Sequence, residues 1–510
     1  MTSNKKSGGL AVLVGAGSGD ENLITIAGRD WLSRAEVVVY DRLANPALLR
    51  YAPATAELIF AGKKPGYHAM TQEQINQTLV EKTAQGKLVV RLKGGDPLIF
   101  GRGGEEASAL VEAGLDFRIV PGITAAISAG AYAGIPMTDR RAGSSLVLVT
   151  GHEDPTKNEA AVDFDAIARI DTAVFYMGIS NLELIADKLI QAGKNPETPV
   201  ALVENATHPK QRTLTGTLEN LAKLARENNV KPPALIIVGP GTKMHDSLGW
   251  FEKLPLAGQR IIVTRSRLQQ SQLAQKLQLL GADVIEAPTI KIEDVADDAP
   301  VLRALEKLTQ KQFDWVVFTS PNGVEKFVSQ CRRHKFDSRI LAGCKIAAVG
   351  PGTQKKLAEY FLHADFIPTE FTAAQLGKQL ANFENLSGRS MLLVRSDIAP
   401  DTLPSLLKQA GAQVTDCAFY VTAKPADIPQ RARELLDADQ IDWVTFSSSS
   451  TAENFIALTG QASLEHVKTA SIGPVTSDAL EKLGLKPTVQ ATHSTIESLV
   501  QSIVEAEGNL

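Results

Sequence analysis

The fold class is decided by the stretch Leu88-Val-Val-Arg-Leu-Lys-Gly-Gly-Asp-Pro-Leu-Ile-Phe-Gly-Arg-Gly-Gly-Glu-Glu106. Its apolar beginning predicts a strand at Leu88–Leu92, and its end leads into a segment of helical periodicity, Gly104–Ala113. Between them, Gly94-Gly95 lets the backbone approach a ligand closely, and Asp96-Pro97 turns the chain away from helix. A strand, a glycine-rich turn and a helix in this order are typical of an α/β protein.

Short apolar runs of the same kind alternate with helical segments along the whole chain. This alternation predicts α/β architecture throughout. In the first half, the predicted strands are Leu10–Gly15, Val37–Tyr40, Leu88–Leu92, Leu146–Thr150, Ala173–Tyr176, Pro199–Val203 and Ala234–Val238.

The composition is that of an ordinary globular protein. Of the 510 residues, 44% are hydrophobic and 22% are charged, and 53 basic against 57 acidic side chains leave a net charge of −4. At roughly 150 residues per domain, the length predicts three to four domains. The charge balance excludes wholesale disorder and a strongly basic nucleic-acid binder, so we expect no nucleic-acid partner.

Cysteine usage and hydropathy favour a cytoplasmic protein. Cys331, Cys344 and Cys417 form no Cys-x-x-Cys pair, which argues against a disulfide scaffold and against a thiolate metal site. No apolar run approaches the roughly 18 residues of a membrane helix, and the start of the sequence lacks the apolar region of a signal peptide. We therefore expect reduced cysteines, no bound metal and no membrane contact.

The second half of the sequence repeats itself after a break in periodicity near residues 245–258. Ile261-Ile-Val-Thr-Arg-Ser266 resembles Met391-Leu-Leu-Val-Arg-Ser396, and Asp314-Trp-Val-Val-Phe318 resembles Asp442-Trp-Val-Thr-Phe446. Matches of this kind recur in one order at a slowly drifting spacing. They predict a duplicated α/β unit, with two similar lobes around a cleft of the kind that holds ligands.

The glycines of Val12-Leu-Val-Gly-Ala-Gly-Ser-Gly-Asp20 raise the alternative of a nicotinamide-binding domain. They follow a predicted strand, and Asp41 ends the next strand, where a ribose-binding carboxylate would stand. However, the spacing is Gly-x-Gly-x-Gly instead of Gly-x-Gly-x-x-Gly, and the following Glu21–Ala27 is predicted as a loop. The glycines alone are weak support for this cofactor.

Further motifs occur in a fixed order from Leu10 to Val238. They include Val-Val-Val-Tyr-Asp41-Arg-Leu, Arg91-Leu-Lys-Gly-Gly-Asp-Pro97, Val120-Pro-Gly-Ile-Thr124, Val149-Thr-Gly-His152, Tyr176-Met-Gly178 and Glu204-Asn-Ala-Thr207. Together they resemble the uroporphyrinogen-III C-methyltransferases of the tetrapyrrole methyltransferase family. The resemblance implies a methyltransferase at residues 8–245, with α/β lobes at about 8–122 and 123–245, followed by a linker at 246–257. It also implies a homodimer through this half.

The same resemblance implies the reaction and its residues. Two methyl groups pass from S-adenosylmethionine to uroporphyrinogen III, which gives precorrin-2 through precorrin-1. Asp41 is expected to be the general base and Lys63 the proton donor, because a methylated pyrrole is cationic until it loses a proton. The substrate carries eight carboxylates, for which Arg42, Arg102 and Arg140 are the expected partners. The expected contacts of the cofactor are Ser18, Gly94, Gly95, Asp96, Ile99, Thr124, Ala125, Met177 and Ala206.

Among the departures from the family pattern, which include Leu98 and the ending Gly239-Pro-Gly-Thr242, two lie near the predicted sites. Ser18 stands where the family usually has proline, which predicts a looser first loop. Asp139 stands where the family usually has histidine, which places an acid near an anionic substrate.

Small hydroxylic residues follow the predicted strands of the second half. Each cluster opens a predicted helix, so N-capping accounts for some of these hydroxyls. Free amides and hydroxyls at several helix starts that face one cleft would also bind carboxylates. The residues concerned are Thr319, Ser320, Ser447, Ser448 and Thr476.

From about Gly258 to Val504 the sequence resembles uroporphyrinogen-III synthase. The resemblance rests on the order of motifs such as Val-Thr-Arg265, Phe-Thr-Ser-Pro-Asn322-Gly and Ile-Gly-Pro-Val-Thr476. It implies a synthase at 258–510, with one lobe at about 258–294 plus 422–510 and the other at about 295–421.

This second resemblance implies that hydroxymethylbilane is closed to uroporphyrinogen III with loss of water and inversion of one ring. Tyr420 aligns with a tyrosine thought to assist departure of the hydroxyl, although a packed strand tyrosine is an equally good interpretation. The expected substrate contacts are Arg265, Thr319, Ser320, Ser447, Ser448 and Thr476.

Three alternatives remain open on the sequence alone. The second half could act only as a tetrapyrrole-binding module beside an active methyltransferase. It could also resemble two-lobed periplasmic binding proteins, which the missing export signal disfavours. A nicotinamide enzyme acting on precorrin-2 is disfavoured because no separate domain remains to house it.

Overall fold

The apolar runs form the central strands of sheets in a computed structural model that describes residues 9–62, 70–151, 162–264 and 267–508. Within these ranges the strands assemble into four five-stranded sheets. The chain divides into two compact units. The first ends at Gln259 and also includes Leu279–Asp283, and the second comprises Arg260–Gln278 and Val284–Leu510.

The first sheet is parallel at every pairing and forms the first lobe of the first unit. Its strands are β1 (Leu10–Gly15), β2 (Val37–Tyr40), β3 (Glu57–Phe60), β4 (Leu88–Lys93) and β5 (Asp116–Val120). Their order across the sheet is β3-β2-β4-β1-β5. Val12 packs in the core on one face of this sheet and Leu13 in the core on the other. Because both faces are covered, β1 is apolar along its length.

The helices of this lobe are α1 (Ile26–Leu32), α2 (Gln72–Ala84) and α3 (Gly103–Glu112). Thr71 caps α2 with a reciprocal bond to Gln74. The next helix, α4 (Ala125–Ala133), packs on the second sheet against Val174 and Ile237, and Gly134 ends it in the left-handed conformation that glycine adopts readily.

The second sheet is mixed and forms the second lobe of the first unit. Its strands are β6 (Leu146–Thr150), β7 (Thr172–Tyr176), β8 (Pro199–Glu204), β9 (Arg212–Thr217) and β10 (Ala234–Val238). They are ordered β6-β7-β10-β8-β9, with β6 parallel to β7 and the remaining pairs antiparallel. The accompanying helices are α5 (Phe164–Ala168), α6 (Leu182–Gln191), α7 (Leu221–Glu227) and α8 (His245–Leu248).

Residues 246–257, which the sequence predicts as a linker, are folded into the first unit. They continue α8 into a 3₁₀ turn at Phe251–Lys253. Phe251 and Leu256 are buried. This segment therefore belongs to the core of the first unit.

The second unit contains two further sheets, which form its two lobes. Its strands are β11 (Arg260–Val263), β12 (Asp283–Glu286), β13 (Lys291–Glu293), β14 (Trp315–Phe318), β15 (Lys345–Ala348), β16 (Ser390–Ser396), β17 (Gln413–Ala423), β18 (Trp443–Phe446), β19 (Lys468–Ser471) and β20 (Val489–Gln490). One sheet is ordered β12-β11-β18-β19-β20 and the other β13-β17-β16-β14-β15.

The two sheets confirm the duplication predicted from the sequence. The run β12-β11-β18-β19 has the same order as β17-β16-β14-β15, and the repeated sequence motifs occupy equivalent strands. Trp315 and Trp443 begin equivalent strands, and both are fully buried. The short strand β13 pairs antiparallel with β17, so the chain passes to the second of these sheets between Glu286 and Lys291, before the residue 294 that the sequence suggested.

The helices of the second unit follow its strands in the predicted α/β alternation. They are α9 (Arg267–Leu279), α10 (Ala299–Thr309), α11 (Pro321–Arg333), α12 (Pro351–Ala358), α13 (Ala373–Phe383), α14 (Thr402–Gln409), α15 (Gln430–Asp437), α16 (Ser449–Thr459), α17 (Pro474–Lys482) and α18 (Ile496–Ala506).

Candidate active sites

A cavity of about 1000 Å³ lies in the first unit at the carboxyl ends of β1, β2 and β4. The parallel sheet brings the loops after these strands to one edge, which is where ligands bind in α/β folds. Residues from the second lobe, among them Met177 and Ala206, complete the lining. The two lobes of the first unit thus enclose one site.

Glycines allow three loops to meet at the floor of this cavity. Gly17 and Gly95 exchange backbone hydrogen bonds, with N···O distances of 3.2 and 2.7 Å. A side chain on Gly122 would collide with the carbonyl oxygen of Gly95. By contrast, a Cβ on Gly95 would meet no heavy atom closer than 3.8 Å, although the positive φ of +70° also favours glycine there.

Asp96 holds two of these loops together. Its carboxylate accepts hydrogen bonds from the amide of Leu98 at 2.8 Å and from the amide of Gly122 at 2.9 Å. Both carboxylate oxygens are engaged with the backbone, and Asp96 is absent from the residues that line the cavity. Its contacts therefore fix the loops that carry the lining residues.

A buried network of four charged side chains lies beneath the cavity. Arg91 donates to Asp41 through Nη2 at 2.8 Å and to Glu106 through Nε at 3.0 Å. Lys93 donates to the same Glu106 oxygen at 2.7 Å. Two acids and two bases balance, so the network has no net charge and each ion has a partner, as buried ions require.

The members of this network differ in exposure. Glu106 is fully buried, Arg91 is 2% exposed and Lys93 is 3% exposed, whereas the side chain of Asp41 is 29% exposed. Asp41 is therefore the acid of the network that reaches the cavity. The second oxygen of Glu106 is buried without a hydrogen-bond partner among the described residues.

Burial and neighbouring charges shift the pKa values of the two bases in opposite directions. Burial alone would lower the pKa of Arg91, but the charges of Asp41 and Glu106 hold it above its ordinary value. Burial, reinforced by the charge of Arg91, lowers the pKa of Lys93. Arg91 is therefore the fixed cation of the network, and Lys93 is the one whose proton is more easily lost.

Tyr176, at the end of β7, holds the first turn of α4. Its hydroxyl lies 2.7 Å from the hydroxyl of Thr124 and accepts a hydrogen bond from the amide of Ala126 at 2.8 Å. The ring of Phe100 packs against the Tyr176 ring, with centroids 4.8 Å apart. Burial raises the pKa of Tyr176, so its hydroxyl stays protonated near neutral pH.

Several residues that line the cavity hold strained backbone conformations. Phe100, Arg102, Met177 and Asn205 are not glycines, yet their φ values are +53°, +57°, +55° and +50°. Such conformations persist only where surrounding contacts enforce them, and they cluster at functional sites.

In the second unit, Tyr420 meets the start of α11. The tyrosine hydroxyl lies 2.9 Å from Oγ of Ser320, and Ser320 caps α11 by accepting from the amide of Gly323 at 3.0 Å. Tyr420 is 5% exposed, and burial raises its pKa. The phenol is thus a neutral donor near neutral pH.

Among the described residues, no tyrosine hydroxyl bonds to the equivalent turn of the other lobe, at the start of α16. Ser448 caps α16 by accepting from the amide of Thr451 at 3.3 Å, and its hydroxyl lies 3.0 Å from that of Ser450. N-capping therefore accounts for one serine in each of these two clusters, whereas the cluster at α17 supplies no cap, because Gly473 holds the N-cap position there. Thr476 is buried in the first turn of α17, and Thr319 and Ser447 are partly buried after β14 and β18.

Comparison with known proteins identifies both halves. The family model described as Tetrapyrrole (Corrin/Porphyrin) Methylases matches residues 11–222, and the model described as Uroporphyrinogen-III synthase HemD matches residues 271–501. The "Porphyrin biosynthesis protein HemD" of Ruminiclostridium josui is 37% identical over 501 residues, which cover 98% of this chain and 98% of that protein. The chain belongs to the tetrapyrrole methylase and uroporphyrinogen-III synthase families.

The methylase half has further relatives. An "S-adenosyl-L-methionine-dependent uroporphyrinogen III methyltransferase" of Methanosarcina barkeri is 50% identical over 242 residues, which cover 47% of this chain and 95% of that protein. The solved uroporphyrin-III C-methyltransferase of Thermus thermophilus, complexed with S-adenyl homocysteine, is 37% identical; the match covers 46% of this chain and 99% of that one, with a TM-score of 0.40. The fusion is a bifunctional enzyme of tetrapyrrole biosynthesis.

The methylase cavity gathers most of the residues that the sequence singled out. Arg140 is exposed and does not line it, and Lys63 and Arg265 lie outside the described residues. Those that line the cavity are Ser18, Gly94, Gly95, Ile99, Thr124, Ala125, Met177 and Ala206, together with Asp41, Arg42 and Arg102.

The carboxylate of Asp139 is paired with a neighbouring arginine. Arg141 donates to both oxygens of Asp139, at 2.9 and 3.0 Å, and its amide donates at 2.8 Å. These bonds lower the pKa of Asp139 to about 2. The structure thus gives this acid a local basic partner and places neither residue in the cavity lining.

Sequence reasoning missed Glu106 and Tyr176 as members of the methylase site. Glu106 lies in the charged motif after the glycines, where a pair of adjacent acids, Glu105 and Glu106, begins α3. Helical periodicity places one of the pair inward, which is the signal that could have found it.

Two absences hold for the described part of the chain. No group of three or more His, Cys, Asp or Glu side chains is placed to hold a metal ion. Among the same residues, no helix combines the length and the hydropathy that crossing a membrane would take.

Proposed function

We propose that the first unit transfers two methyl groups from S-adenosylmethionine to uroporphyrinogen III, giving precorrin-2 through precorrin-1. One observation carries this proposal. A single cavity brings a partly exposed carboxylate, Asp41, together with glycine loops and the arginines Arg42 and Arg102.

The residues present fit S-adenosylmethionine. Ligand pockets commonly measure about 300–1,000 Å³, so a cavity of about 1000 Å³ admits the cofactor and part of a second molecule. The open space above Gly95 exposes backbone to a polar ligand, and Ile99 and Met177 offer apolar surface. Gly94, Gly95, Thr124, Ala125 and Ala206 would complete the binding set, and the cofactor would supply an already activated methyl group.

Asp41 is suited to the role of general base. A methylated pyrrole carbon must lose its proton before the ring becomes neutral, and a positioned carboxylate accelerates that step. Arg91 fixes Asp41 through a charge-assisted bond, and Glu106 fixes Arg91 from the other side. The bond from Arg91 therefore fixes the orientation of the Asp41 carboxylate, which is partly exposed and can reach the substrate.

The lining of the cavity suits a polyanionic substrate. Arg42 and Arg102 contribute cations to it, whereas the charges of Arg91 and Lys93 are balanced by Asp41 and Glu106 in the buried network. Arg102 is held by Glu105 through two bonds of 2.8 and 2.7 Å, but both side chains are more than half exposed. A substrate carboxylate can compete for such an exposed arginine because surface ion pairs are weak.

The first half of this proposal is tested with the full chain and uroporphyrinogen III. We expect transfer of labelled methyl groups to the tetrapyrrole and binding of S-adenosylhomocysteine in calorimetry. Absence of both would contradict the assignment.

We propose that the second unit closes hydroxymethylbilane to uroporphyrinogen III with loss of water and inversion of one ring. Support comes from the phenol of Tyr420, which is neutral, buried and in contact with the hydroxyl of Ser320 at a helix start. A phenol in this state can donate to a departing hydroxyl. Thr319, Ser320, Ser447 and Ser448 follow strands in the two lobes, Thr476 lies in the first turn of α17, and Arg265 remains a proposed substrate contact from the family resemblance. In the first unit, Lys63 remains the proposed proton donor on the same ground.

The second half is tested by adding hydroxymethylbilane to the full chain without S-adenosylmethionine. We expect uroporphyrinogen III to form faster than any cyclic product forms by spontaneous closure of hydroxymethylbilane. If the chain binds the linear tetrapyrrole but does not accelerate closure, the second unit is a binding module and the synthase assignment is wrong.

We also propose that the chain forms a homodimer through its first unit, as the family resemblance implies. Analytical ultracentrifugation should give twice the chain mass of 54.7 kDa. A monomer at micromolar concentration would contradict this.

A further inference from the structure

The glycine-rich loop Ser18–Asp20 is held from both lobes of the first unit, and Asn45 of the first lobe donates to the carbonyl of Gly19 at 2.7 Å. Ser18 and Gly19 line the cavity, whereas the adjacent Thr207 is almost fully buried. The Thr207 hydroxyl donates to the carbonyl of Ser18 and accepts from the amide of Asp20 at 3.1 Å. This clamp holds the backbone on both sides of Gly19.

The clamp depends on a strained residue. Thr207 has a φ of +66°, a conformation that is costly for a β-branched side chain. Its amide donates to the side-chain oxygen of Gln211 at 2.8 Å. Gln211 is 7% exposed, so its orientation is set by protein partners.

Glu252 sets that orientation. The Gln211 amide group donates to Glu252 at 2.9 Å, and Thr213 donates to the same carboxylate through its amide at 3.0 Å and its hydroxyl at 2.5 Å. Glu252 belongs to the segment after β10 that leads into the second unit. A continuous set of hydrogen bonds therefore runs from Glu252 to the glycine-rich loop.

A second route joins the same segment to the same loop. Trp250 and Phe251 pack against the ring of Tyr132, with centroids 5.3 and 4.8 Å away. The Tyr132 hydroxyl donates to the carboxylate of Asp20 at 2.6 Å. The two routes share no residue between the segment and the loop, and both end on the backbone or side chain of Ser18–Asp20.

We propose that the segment Trp250–Glu252 positions the loop Ser18–Asp20, and that it thereby sets the affinity of the first unit for its methyl donor. The inference rests on the proposed function, because it takes the loop to contact S-adenosylmethionine. The members of the segment are positioning residues, since none of them lines the cavity. Residues Trp250–Glu252, which lie in the predicted linker, thus hold the loop that contacts the methyl donor.

The test uses full-length Glu252→Gln, Tyr132→Phe and the double variant. Each single change weakens one route, and Tyr132→Phe removes only an oxygen and keeps the ring contacts. We expect the Kd of S-adenosylhomocysteine to rise about fivefold in each and further in the double variant, since each loses about one hydrogen bond. The KM for S-adenosylmethionine should rise by a similar factor. By contrast, kcat at saturation and the KM for uroporphyrinogen III should not change.

Lys253→Ala is the matched control, because Lys253 follows the segment directly and its side chain, among the residues that the structure describes, bonds only to the carbonyl of Asp246 and joins neither route. Its Kd should equal that of the parent chain. A role limited to folding would lower the melting temperature of the variants and leave the Kd unaltered. A Kd within twofold of the parent in the double variant, or in Tyr132→Phe if the others do not fold, would overturn the inference. Failure of the parent itself to bind S-adenosylhomocysteine would instead overturn the proposed function beneath it.

Discussion

The two units place their candidate residues in different ways. In the first unit, a carboxylate, two arginines and the glycine loops meet in one cavity, and the carboxylate is bonded to a network of buried charges. In the second unit, hydroxyl groups stand at strand ends in two sheets, and the serines also cap helices. A site built on one carboxylate concentrates its chemistry in single residues, whereas a site built on many hydroxyls and amides distributes it. Single substitutions should therefore be severe in the first unit and mild in the second.

The largest effect is expected for Asp41→Asn. Removal of the general base should slow methyl transfer about a thousandfold. Arg91 keeps its bond to Glu106, so the fold and the affinity for S-adenosylhomocysteine should persist. The assay is methyl incorporation into uroporphyrinogen III, with ring closure by the same sample as the internal control. Turnover equal to the parent would remove Asp41 from the mechanism.

The next effect separates two neighbouring acids of α3. Glu106→Ala leaves Arg91 without one of its two carboxylate partners and Lys93 without its only carboxylate bond given by the structure, and it should destabilise the first unit by about 3 kcal/mol or more. Glu105→Ala removes only an exposed pair with Arg102 and should cost less than about 1 kcal/mol. Denaturant unfolding measures both, and equal losses would show that the buried network does not stabilise the unit.

A milder effect is expected for Tyr420→Phe. The change removes the hydroxyl that meets Ser320 and should slow ring closure about tenfold, because the remaining contacts still hold the substrate. Methyl transfer to added uroporphyrinogen III should not change and serves as the control. An unaltered closure rate would leave Tyr420 as a packed strand residue.

The smallest effect concerns Asp139, outside the cavity lining. Its pKa of about 2 lies below the ordinary 3.8, so the bonds from Arg141 stabilise the fold fully above about pH 4 and are lost as the pH falls towards 2. Arg141→Gln should return the Asp139 pKa towards 3.8. NMR titration of labelled aspartate would show this, and an unshifted value would mean that Arg141 does not hold the acid.

Much of the fold follows from the sequence for clear physical reasons. Strands buried on both faces must be apolar throughout, so Leu10–Gly15 and Val37–Tyr40 stand out as short runs, and the structure confirms both. The repeat around Trp315 and Trp443 predicts equivalent strands because both tryptophans fill cores. The pairing of β13 with β17 was less predictable from the sequence, because a strand of three residues is too short to show a periodicity.

The site was predicted less completely, because motifs give residue types and not contacts. The motif around Asp96 marks a loop, but the sequence cannot show that both oxygens of Asp96 hold backbone amides. Likewise, Glu106 and Asp41 are far apart in the chain and are joined only through Arg91. The role of Glu252 depends on a path through Gln211 and Thr207 that only the folded chain reveals.

We propose that this one chain catalyses two successive reactions, one in each of its two units. The most direct test of this proposal supplies the full chain with hydroxymethylbilane and S-adenosylmethionine and follows the products with time. We expect the parent chain to form precorrin-2. We expect Asp41→Asn to form uroporphyrinogen III at the parental rate and to methylate it no further. Loss of both reactions in Asp41→Asn, or no methylated product from the parent, would contradict it.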